Sequence, residues 1–107
     1  MAGVAGRSGI ELFFQPNSIT VPAGEATFLL KNGTEAPHNF VLGPDRPVCS
    51  QEACTYGSVI AASPTVQAGD ADLPFTIEDL AAGMYSFWCS IDDHAVLGMV
   101  GTLTVEP

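Results

Sequence analysis

This sequence predicts an all-β fold, a Greek-key β-sandwich or barrel of about seven or eight strands. Three observations predict it. Short apolar stretches alternate with period two, turns built on Gly, Pro and Asn separate them, and no stretch sustains a 3.6-residue apolar period.

Residues 10–15 read as the first strand, closed by Pro16 and Asn17. Ile19 and Val21 alternate with Ser18 and Thr20, and Pro22, Ala23 and Gly24 turn the chain. Over residues 25–32, Ala26, Phe28 and Leu30 share one face while Thr27 and Lys31 take the other. Asn32-Gly33 is a strong turn signal. Residues 38–42 form a further strand, ended by Gly43-Pro44. Residues 44–63 show little periodicity and read as a loop with a short helical turn or a brief strand. Residues 64–67, 73–77, 84–89 and 100–105 complete the set, with Ala82-Gly83 as a turn.

Residues 10–107 are expected to form a single domain, with no internal repeat. The first nine residues, M-A-G-V-A-G-R-S-G, read as a flexible N-terminal linker or remnant. They lack the apolar stretch of a secretory signal, so a targeting or anchoring segment would lie outside this sequence. A hydrophobic share of 47% places the chain among globular proteins. No apolar run approaches the ~20 residues of a membrane-spanning helix.

Twelve acidic residues stand against three basic ones, Arg7, Lys31 and Arg46, for a net charge of -9. That balance excludes nucleic acid as a partner and disfavours an anionic membrane surface, both of which need clustered cations. It fits a cationic partner, and equally plain solubility in an acidic or salty habitat.

There are three cysteines. Cys49 and Cys54 are close together in an aperiodic stretch and either pair or remain two thiols in a loop. Pairing would close a short loop, stabilise by roughly 2 kcal/mol and imply an oxidising compartment. Either way Cys89 needs a separate explanation.

That explanation lies in its surroundings. Period two over residues 84–89 puts Tyr85, Phe87 and Cys89 on one face, with Trp88 opposite and partly exposed as a packing or shielding residue. His94 and Met99 follow Cys89 at even spacing, in C-S-I-D-D-H-A-V-L-G-M, on a short loop before the last strand. The other of the two histidines, His38, begins a strand far upstream in P-H-N-F. A lone buried thiol is ordinarily a packing residue. A thiolate, two imidazoles and a thioether together suit copper cycling between two oxidation states, with Cys and two His in a trigonal plane and a weak axial Met.

These residues resemble the cupredoxins, the small blue-copper electron carriers. P-H-N-F at 37–40 is similar to the family's upstream ligand motif, and the C-x4-H-x4-M run at 89–99 to its downstream loop. The spacing resembles the auracyanin, sulfocyanin and plantacyanin branches more than the shorter plastocyanin loop. I-T-V-P-A-G-E at 19–25 and G-T-L-T-V at 101–105 match family strands, so the resemblance covers residues 10–105. It implies His38, Cys89 and His94 as equatorial ligands of one copper ion and Met99 as the axial one. It also implies that Asn39 braces the site, its backbone N–H bonding the ligand sulfur and its side chain tying the two ligand segments. His94 would be the electron exit, rimmed by Ala95, Val96 and Leu97, although Val96 and Leu97 also suit packing within the loop.

Where many family members carry Pro-Gly before the second histidine, this chain has Asp92 and Asp93. They are either solvated loop acids or a field favouring Cu(II). A carboxylate ~10 Å from the metal at an effective dielectric of ~40 contributes about 0.8 kcal/mol, a downward shift of roughly 35 mV. Beside His94 they would favour a redox partner with a cationic or basic docking face. The resulting expectation is a monomeric, extracytoplasmic (periplasmic or cell-surface) electron carrier, not an enzyme, shuttling single electrons between a donor and an acceptor protein. The chain could also be one domain of a larger copper oxidase or reductase. Two alternatives are weaker. A copper chaperone would need exposed Met and His clusters, which three methionines barely supply. A structural Cys3His zinc site from Cys49, Cys54, Cys89 and His94 would lack a close-spaced cysteine knuckle and leave His38 unexplained.

Overall fold

The computed structural model describes residues 7–11, 14, 17–50, 54–91 and 99–107. Its strands in chain order are β1 (Arg7–Glu11), β2 (Ser18–Pro22), β3 (Gly24–Lys31), β4 (Val41–Gly43), β5 (Val48–Cys49), β6 (Cys54–Thr55), β7 (Ala61–Ala62), β8 (Leu73–Leu80), β9 (Gly83–Trp88) and β10 (Val100–Glu106). Seven of these are three residues or longer, within the expected number. No helix among the described residues is long and apolar enough to cross a membrane.

The strands form two main sheets, ordered β1-β3-β8 and β2-β10-β9-β4-β7, with a small β5-β6 ribbon beside them. Of the two forms expected, the described residues take the sandwich rather than the closed barrel. β1 runs parallel to β3 and β2 parallel to β10, while the remaining neighbours are antiparallel. The chain passes from one main sheet to the other between β1 and β2, β2 and β3, β3 and β4, β7 and β8, and β8 and β9, so residues distant in sequence meet in one core.

Period two builds that core. In β3, Ala26, Phe28 and Leu30 are fully buried, as the alternation predicts. Ile19 and Val21 of β2, and Leu103 and Val105 of β10, face them from the other sheet. Phe40 joins the layers: its ring lies 5.2 Å from that of Phe28 and 5.1 Å from that of Phe87. Phe14 closes on Phe87 edge-on at 5.1 Å. Burying a ring of this size contributes about 1.5–3 kcal/mol.

Four strand expectations change. β1 begins at Arg7, so Arg7, Ser8 and Gly9 belong to the parallel pairing with β3 rather than to a leading segment. The strand expected over 38–42 is laddered only from Val41, with His38 in an isolated bridge to Val66. The strand expected over 64–67 reduces to that same bridge, because Pro64 has no N–H to donate. β8 continues past Ile77 to Leu80 through a register shift opposite Gly24 and Ala26, with Asp79 at φ 59°. The aperiodic 44–63 stretch is resolved into the brief strands β5, β6 and β7.

Candidate metal centre

Cys89 follows the last residue of β9 and Met99 precedes the first of β10, and the two strands pair there as Val100 with Trp88. The ladder continues one step further: the Cys89 N–H donates to the Met99 carbonyl at 3.2 Å. Both residues are thereby fixed at one end of the second sheet. Cys89 is fully buried and Met99 is nearly so.

His38 reaches the same place from the loop between β3 and β4. It exchanges both backbone hydrogen bonds with Val66, at 3.1 and 2.7 Å. Two residues on, the Phe40 N–H donates to the Ser63 hydroxyl at 2.9 Å and the Ser63 N–H to the Phe40 carbonyl at 2.8 Å. Residues 38–40 are thus clamped to 63–66, and the His38 side chain is buried. Its Nδ1 lies 3.8 Å from the Cys89 Sγ.

That separation tests whether a metal fits. Two donors on one first-row ion, with sulfur at ~2.3 Å and nitrogen at ~2.0 Å in a trigonal plane, stand about 3.7–3.8 Å apart. A buried thiol and a buried imidazole nitrogen at 3.8 Å fit a shared ion, and both are donors that copper accepts.

Asn39 holds the two segments together. Its Nδ2 donates to the Ser90 hydroxyl and its Oδ1 accepts from the Ser90 N–H, each at 2.8 Å. His94, Asp92, Asp93, Ala95, Val96 and Leu97 lie outside the described residues. The structure therefore brings together His38, Cys89, Met99 and Asn39 of the residues singled out in the sequence.

Trp88 corrects an expectation. It does face away from the main core, but it is 1% exposed rather than partly open. Residues between β4 and β7 fold over it: Tyr56 stacks on its indole at 5.3 Å and 13°, and Cys54 packs beside it, next to Val41 of β4. Gly43 makes room for the ring, since a Cβ there would sit 2.7 Å from the Trp88 Cη2 and collide with the Ser58 carbonyl. Burial, and after it the negative charge of Cys89, hold the Tyr56 phenol above its ordinary pKa.

Cys49 and Cys54 form a disulfide across the paired strands β5 and β6. Two disulfide sulfurs cannot serve as thiolate ligands, so the Cys3His zinc alternative is overturned. Sequence reasoning missed Ser63, Ser90 and Tyr56, which are ordinary polar or aromatic residues whose partners come from distant segments. It also read Asn32 as a turn residue only, whereas its amide reaches the Val66 carbonyl at 2.8 Å.

The fold class is that of a small all-β sandwich with a thiol and an imidazole buried side by side at one end. Residues 2–106 match the family of copper binding proteins, plastocyanin/azurin family, and the chain belongs to that family. It is 34% identical over 104 residues to the chloroplastic plastocyanin of Oryza sativa subsp. indica, covering 94% of this chain and 60% of that relative. It is 33% identical over 95 residues to a plastocyanin of Nostoc punctiforme, covering 89% of this chain and 66% of that one. The chain thus spans less than two thirds of the length of these two relatives. Among solved structures, reduced auracyanin from the photosynthetic bacterium Roseiflexus castenholzii superposes with a TM-score of 0.77 at 26% identity, covering 98% of this chain and all of that one.

Proposed function

We propose that the chain is a one-electron carrier holding a single type 1 copper ion through His38, Cys89, His94 and Met99, with the chain from Arg7 onward acting as one copper-binding domain. The observation that carries this reading is the buried Cys89 sulfur at 3.8 Å from the His38 Nδ1. When bound, copper supplies the Cu(II)/Cu(I) couple. The protein's part is to hold the donors still. The Val66 bridge and the Ser63 pair fix the His38 segment, the β9–β10 ladder fixes Cys89 and Met99, and Asn39 joins the two through Ser90. Donors held this firmly rearrange little when the ion changes charge, and their burial keeps water from the site.

His94 is the electron exit in this reading, with Ala95, Val96 and Leu97 as its rim and Asp92 and Asp93 attracting a donor or acceptor protein with a basic face. The chain acts as a monomer and catalyses no reaction of its own. An extracytoplasmic compartment, periplasmic or at the cell surface, is supported by the Cys49–Cys54 disulfide, which persists where the surroundings are oxidising.

The test is to add Cu(II) to the apo-protein and record the visible spectrum. The expected result is an intense thiolate-to-copper band in the wild type that is lost in Cys89→Ser. A colourless wild type would overturn the proposal.

A further inference from the structure

We infer that Asn32 is a positioning residue for the metal centre, holding the backbone of His38 through Val66. The inference rests on the proposed copper site and adds to it a residue outside the donor set.

Asn32 follows the last residue of β3 and is 9% exposed. Its Nδ2 donates to the Ala36 carbonyl at 2.7 Å and to the Val66 carbonyl at 2.8 Å. Its Oδ1 accepts from the Thr34 N–H at 3.0 Å and from the Thr34 hydroxyl at 2.7 Å. A side-chain amide offers two donors and two acceptor lone pairs, and here all four are used.

The bonds to Thr34 are those of an ordinary Asn-initiated turn. The bond to Val66, 34 residues along the chain, is one that a turn does not need. The Val66 carbonyl accepts both the Asn32 amide and the His38 N–H, while the Val66 N–H returns to the His38 carbonyl. Asn32 thereby attaches the bridge that carries His38 to the end of β3, the central strand of the first sheet. Asn39 attaches the neighbouring residue to Ser90, just beyond β9 of the second sheet. The separation of imidazole and thiol is set by both attachments, one to each sheet. Losing the first would let the His38 segment shift while leaving Cys89 in place.

The experiment compares copper-loaded wild type with Asn32→Asp, Thr34→Val and Val105→Ala. Asp at position 32 keeps the acceptor side toward Thr34 but sets a carboxylate oxygen against two carbonyls. Thr34→Val removes one of the four bonds to Asn32. Val105 is buried and pairs with Gly83, at the end of β9 away from Cys89, so its truncation is a control for stability alone. Copper affinity is measured by competition with a chromophoric chelator, alongside the thiolate-to-copper band and the reduction potential.

For Asn32→Asp the expected result is affinity reduced about tenfold or more, the usual range for residues that orient ligands, with an altered band and potential. Val105→Ala should unfold more readily yet keep affinity and band within about twofold of wild type, because its effect is on folding and not on the ligands. An Asn32→Asp protein that folds and retains wild-type affinity and band overturns the inference. Should that variant not fold, Thr34→Val decides: a loss of about threefold or more supports the role of Asn32, and wild-type values overturn it. A colourless wild type would overturn the copper reading and this inference together, whereas a blue wild type with unaltered variants overturns this inference alone.

Discussion

Asn39 commits both ends of its amide to Ser90, joining the His38 segment to the Cys89 segment by two side-chain hydrogen bonds. Truncating it removes both bonds and leaves part-buried polar groups to find new partners. Asn39→Ala is therefore expected to lower stability by about 1–3 kcal/mol in chemical denaturation. It should also weaken copper binding by about 10–100-fold in chelator competition. Unchanged values in both would remove Asn39 from the account. At this scale the donors are legible in the sequence because their chemistry is rare. A chain with two histidines and a single cysteine between an aromatic strand and a methionine offers few other uses for them. Asn32 is not legible in the same way. Asn-Gly spells a turn whether or not the amide also reaches a carbonyl 34 residues away.

Among the elements, strands with one face in the core announce themselves by alternation, as β3 and β10 do with their buried and half-buried residues in strict succession. β9 ends differently, with Ser86, Phe87 and Trp88 all buried, because a second layer covers its outer face. That layer includes Cys54 and Tyr56, held by the Cys49–Cys54 bond and the Tyr56–Trp88 stack. Cross-links and long-range packing leave no period behind, which is why the sequence predicts only a loop with a short helical turn or a brief strand here, and a partly exposed Trp88. Replacing both Cys49 and Cys54 by Ser is expected to lower stability by roughly 2 kcal/mol. It should also shift the fluorescence of Trp88, the single tryptophan, to the red as its cover loosens. Emission unchanged from wild type would show that Tyr56 and its neighbours stay seated without the bond.

Across the whole molecule, the net charge of -9 acts over distances at which individual side chains do not matter. Association with a basic redox partner should accelerate as ionic strength falls, and Asp92→Asn with Asp93→Asn should weaken that dependence in stopped-flow electron transfer. A rate indifferent to salt would contradict a charge-steered partner. Sandwich topology was legible at this scale from strand number and turn spacing, but its register was not, since crossings between sheets pair residues far apart in sequence. Those crossings create the centre by carrying His38 to the end of β9 where Cys89 lies. The most direct test of that claim is X-ray absorption at the copper edge of the loaded protein. One short sulfur and two nitrogen neighbours, with that short sulfur absent in Cys89→Ser, is the predicted result; a near shell of nitrogen and oxygen alone in the wild type would contradict it.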